Sequence, residues 1–198
     1  MAALLLVRRK NALVGVSRME FKQHLLALQD AFEKSDITEL KRLTAEFAGE
    51  AFLHHQEENI GLSIVAYACA KFLEKPYVVE TGEWKEFRKN LSYLLSKAVE
   101  DLNAGRQAQA FDKVRKSLSL IQSLGEDLGR FALSVIEKAR LKAGAEIYAR
   151  GASLGTAVAL SGADKRELSS YISSTRMPDK YVTKSVAQRM QETKKIFS

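Results

Sequence analysis

An all-α fold, arranged as an irregular antiparallel helical bundle, is the fold class this chain predicts, and three observations predict it. Nearly every segment carries apolar residues at helical spacing. No long stretch alternates apolar and polar residues as a half-buried strand does. Two prolines and eleven glycines in 198 residues, with 46% of the chain hydrophobic, also leave little room for linkers or disorder. The length suits one full domain, or one with a small appendage.

The elements follow in order. Ser17 and Glu20 have capping-box spacing, and Phe21, Leu25, Leu28 and Phe32 then share one helical face. Asp36 and Glu39 repeat the start signal before the stripe Leu40, Leu43, Phe47 and Ala51. Ile60, Ile64, Ala68 and Phe72 mark a third helix, which Lys75-Pro76 ends because the residue before a proline avoids helical geometry. Residues 76–82 read as a connection, with Tyr77-Val78-Val79 as a candidate short extended piece.

A long helix is expected over about 83–103, with Trp84, Phe87, Leu91, Leu94, Leu95, Ala98 and Leu102 apolar on one side and Gly105 as its C-terminal cap. Ala110, Phe111, Val114, Leu118, Ile121 and Leu124 give the next helix, ending near Gly125. Phe131, Val135, Ile136, Ala139, Ala143, Ile147 and Tyr148 give another, ending at Gly151. From Trp84 to Phe111 the chain is similar to a tetratricopeptide unit, but it lacks that unit's glycine-tyrosine pair and terminal proline. No tandem array is expected.

Little here points to catalysis. The three histidines are His24, His54 and His55; Glu50, His54 and Glu58 are four apart, a spacing that shares a helical face, yet no Glu-x-x-His motif exists to build a bundle metal site. Cys69, the one cysteine, lies in the apolar run Ile64–Ala70 and reads as an inert packing thiol. Phosphate-binding loops and nucleophile elbows are absent. Neither enzyme activity, a metal nor a cofactor is expected. The aromatic residues read as core, and His54-His55-Gln56-Glu57-Glu58 and residues 103–107 as exposed connections. With no apolar run near 20 residues and no secretory signal order at the start, the chain reads as soluble and cytoplasmic, with no membrane partner.

Charge is uneven. The net charge is +7, but residues 1–130 hold 19 basic and 18 acidic side chains, against 12 and 6 in residues 131–198. The excess therefore sits in the last third, a footprint suited to an anionic polymer. Within it, a short helix is expected over about 154–160, a turn at Ser161-Gly162-Ala163, and a second helix over about 165–173. Asp164 and Glu167 form its capping pair, and Leu160, Leu168 and Ile172 form a small core with the small residues Ala157 and Val158 beside it.

This stretch resembles, over about 25 residues, the helix-turn-helix of DNA-binding regulators and of small prokaryotic antitoxin-type proteins. Val158 and Ala163 differ from the residues commonest there. The resemblance implies that the second helix enters a major groove N-terminus first. Lys165 and Arg166 would then meet phosphate or guanine, and Ser169, Ser170 and Ser173 would be smaller polar readers. Beyond them Asp179 starts an expected final helix, with Val182, Val186 and Met190 as its stripe. Arg176, Lys180 and Lys184 line a basic face on it.

Residues 1–150, with a break at 76–82, are thus expected to form a bundle for dimerisation or protein contacts, and 151–198 a basic unit with a helix-turn-helix-like start. The function expected is non-enzymatic nucleic-acid binding, with duplex DNA as ligand and a homodimer matching paired half-sites. The alternatives are a ribosome- or structured-RNA-associated factor and a helical protein–protein adaptor.

Overall fold

Residues 62–70 are buried without interruption, and the fold is organised around the helix that contains them. The computed structural model describes residues 19–54, 56–127 and 130–175, and among these there are nine helices and no strand. In chain order they are α1 (19–33), α2 (Ile37–Leu53), α3 (Glu58–Leu73), α4 (Pro76–Val79), α5 (Gly82–Asn103), α6 (Gln107–Asp127), α7 (Arg130–Ala149), α8 (Leu154–Ser161) and α9 (Lys165–Thr175). The chain is an all-helical bundle.

A helix apolar all round must be covered all round. Accordingly α3 packs against α2, α6 and α7, while α5 pairs with α6. Residues on α1 reach across to α3, α5 and α6: His24 to Asn59, Gln29 to Ser96, and Phe21 edge-on to Phe111 at 5.1 Å. Phe32, Phe72, Trp84 and Phe87 form an aromatic cluster with centroid spacings from 5.3 to 6.4 Å, uniting α1, α3 and α5.

Local signals set the ends. Asp36 caps α2, its Oδ1 accepting from the Glu39 amide at 2.9 Å, but Glu39 turns its carboxylate outward to Arg42 and does not close the box. Thr81 caps α5 by accepting from the Trp84 amide at 3.1 Å. After α5, Gly105 takes φ 81° and the Arg106 amide bonds back to the Asp101 carbonyl at 2.7 Å.

Four expectations need correction. Tyr77-Val78-Val79 is not extended: Pro76 supplies a fixed helical φ, and the four residues wind into α4 with Val78 fully buried. The 54–58 connection is not simply exposed. Gln56 is 7% exposed because it lies in a polar chain in which His24 Nδ1 donates to Asn59 Oδ1 (3.2 Å), Asn59 Nδ2 to Gln56 Oε1 (2.8 Å) and Gln56 Nε2 to Glu20 Oε2 (3.0 Å). His54 and Glu58 do not share a helical face, since α2 ends at Leu53 and α3 starts at Glu58. Tyr148 is exposed, one position beyond the buried face that holds Ile147.

Two close approaches hold α7 in place. A Cβ at Gly49 on α2 would lie 0.7 Å from Arg150 Nη1, so glycine there admits the guanidinium, which donates to the Ala45 carbonyl at 3.1 Å and pairs with Glu146 at 3.5 Å. A Cβ at Gly144 would lie 2.8 Å from Ser161 Oγ and 2.9 Å from Leu168 Cδ2. That bare strip of backbone lets α8 and α9 seat directly on α7. Ala157, Ala163 and Leu168 consequently join the same apolar core as the rest of the bundle.

Candidate nucleic-acid interface

Residues 154–175 form a hairpin whose turn is specified residue by residue. Ser153 caps α8, accepting from the Thr156 amide at 3.0 Å. At the other end Gly162 adopts φ 67°, a left-handed conformation that costs glycine no steric strain, and its amide closes on the Val158 carbonyl. The Ser161 hydroxyl donates to the Ala157 carbonyl at 2.7 Å while its oxygen accepts from the Ala163 amide at 3.2 Å, bracing the turn from inside. Asp164 Oδ1 then accepts from the amides of Arg166 (2.8 Å) and Glu167 (3.0 Å), satisfying two of the donors that a helix start leaves open.

Leu168 is the one α9 residue that is fully buried, resting on Gly144. Tyr171 and Ile172 are half-buried beside it, and Leu160 and Val158 complete the small apolar seat. Helical period does the rest. With Leu168 inward, Lys165, Arg166, Ser169, Ser170 and Ser173 all remain exposed.

Those five residues also lie together. With Leu154 of α8 they line one open concavity of about 600 Å³. Lys165 and Arg166 stand in the first turn of α9, where the helix dipole adds to their positive potential. Ser173 Oγ donates to the Ser169 carbonyl at 2.9 Å, which leaves its oxygen lone pairs as acceptors. Asp164 and Glu167 flank the same turn, so the charge over the described part of this face is balanced. Arg176, Lys180, Lys184 and the expected final helix lie outside the described residues.

Two contributors had no motif to announce them. Leu154 walls the concavity from α8. Arg140, on α7, lies against the turn, with its Nε 3.7 Å from where a Cβ of Gly162 would be. The Ser153-x-x-Thr156 spacing was a readable signal for the start of α8.

Elsewhere, Glu50 and His54 pair at 3.0 Å, but His24 bonds Asn59, and no cluster of metal-binding side chains occurs among the described residues. Cys69 is completely buried, and burial pushes its thiol far up, away from the reactive thiolate. No helix among the described residues is long and apolar enough to cross a membrane. No protein-family model, curated protein or solved structure matches this chain.

Proposed function

We propose that this protein binds double-stranded DNA through the exposed face of α9, with the helical bundle as its rigid platform and dimerisation or partner surface. The observation that carries this reading is the convergence of Lys165, Arg166, Ser169, Ser170 and Ser173 on one concave face. These are cations for phosphate or guanine, and short hydroxyl side chains that permit close approach to base edges. The capped turn and the seat on Gly144 support it, because a reading helix must be held at a fixed angle. The basic residues Arg176, Lys180 and Lys184 would add phosphate contacts.

The test is fluorescence anisotropy with mixed duplex DNA and with structured RNA across a salt series, comparing the full chain with its Lys165→Ala/Arg166→Ala variant. Duplex binding should weaken about tenfold or more in the variant, and the slope of log affinity against log salt should fall by roughly two. An unchanged slope would remove α9 from the interface. A clear preference for RNA would replace the DNA reading with that of an RNA-associated factor.

A further inference from the structure

A second concave surface lies where α2, α3 and α7 meet. It is a cleft of about 330 Å³ whose walls include Lys41 and Thr44 from α2, Tyr67 and Lys71 from α3, and Lys142 and Glu146 from α7. Its chemistry is unlike that of a solvated lysine face. Lys41 and Lys71 share one carboxylate, Glu74, at 2.5 and 2.7 Å, so that trio retains one positive charge. Glu146 is paired with Arg150 at 3.5 Å. Lys142 is exposed and, among the described residues, has no carboxylate partner. Three lysines and one carboxylate, Glu146, therefore line the cleft beside Ala45, Ala70 and Tyr67, with Glu74 and Arg150 pairing to them from outside the lining.

We infer that this cleft binds a small phosphate monoester carrying a hydroxyl or amino group, of the size of a nucleotide or a sugar phosphate. The lysines from three helices receive the phosphate, for which a compact ammonium is a suitable point charge. Glu146, one turn from Lys142 on α7, accepts from the ligand's hydroxyl or amine. The Tyr67 ring covers the apolar middle, and cleft size falls in the range of small-molecule sites. Tyr67 is held largely out of water, and burial, with Tyr171 and Glu74 nearby, pushes its hydroxyl up, so it stays neutral beside a phosphate. The inference is independent of DNA binding by α9.

Calorimetric titration of the full chain with AMP and with ribose 5-phosphate tests it, with adenosine as the uncharged control. At least one phosphate ester should bind saturably and adenosine much more weakly. Lys142→Ala, at an exposed position, should cost about tenfold in affinity with unchanged circular dichroism, and Lys142→Arg should restore most of it. Lys165→Ala/Arg166→Ala should leave ester binding intact. The inference fails if neither ester saturates, or if ester binding survives Lys142→Ala unchanged.

Discussion

Helix α3 and helix α9 are built on opposite terms. In α3 nearly every side chain from Asn59 to Phe72 is buried, and polar Asn59 and Ser63 are tolerated because each is hydrogen-bonded, Ser63 to the Thr44 carbonyl at 2.8 Å. In α9 one residue, Leu168, is fully buried and the rest of the helix faces solvent or its edge. Burial on all sides makes α3 costly to change and chemically silent, as its inert Cys69 illustrates. A single anchor leaves α9 nearly its whole surface for contact, at the expense of depending on caps and one glycine. The difference teaches where to look for function: on the element that the core barely holds.

The largest expected effect lies on the α3 side. Phe72→Ala opens the aromatic cluster shared with Phe32, Trp84 and Phe87 and should cost about 3–5 kcal/mol. Urea denaturation would measure it, and a loss under about 1 kcal/mol would mean that α3 is not the organising helix. Next comes Gly144→Ala, whose methyl would press on Ser161 Oγ and Leu168 Cδ2 and should cost about 1–3 kcal/mol despite alanine's better helix propensity. Amide hydrogen exchange sharpens the comparison here. Protection should fall across 154–175 while α3 keeps its own; loss in both would show one cooperative unit.

Asp164→Ala removes the acceptor for two amides and should cost about 1 kcal/mol, fraying the first turn of α9 where Lys165 and Arg166 stand. Glu74→Gln should have the smallest effect. Lys41 and Lys71 hold the Glu74 carboxyl below its ordinary range. A lowered folded value means that the stabilisation is present above the unfolded pKa and is lost as pH falls through the folded one. The wild type should therefore exceed the variant by under about 1 kcal/mol at neutral pH, and the gap should close on acidification below the ordinary carboxylate range. A gap that widens in acid would contradict the pairing.

What was legible in the sequence was local. Asp36, Asp164 and Gly162 act within a few residues of themselves, so their spacing suffices to place starts and a turn, and Pro76 likewise marked the end of α3, though not the short helix it begins. The five α9 residues share a face because one helix's period puts them there. The buried state of Gln56 was hidden, since it depends on Glu20 and Asn59 meeting it from two other elements. Arg150 and Gly49 are far apart in the chain, and nothing local links an arginine to the glycine that admits it. The cleft was equally hidden: Lys41, Lys71 and Lys142 belong to three helices, and only packing makes them neighbours.

Arg150 stands at the end of α7, immediately before the short connection 151–153 into the hairpin. Its grip on the Ala45 carbonyl ties the root of that hairpin to α2. The hairpin is thus a bracket fixed at two points, its root beside Arg150 and its seat on Gly144, so a pull on its tip is shared between α2 and α7.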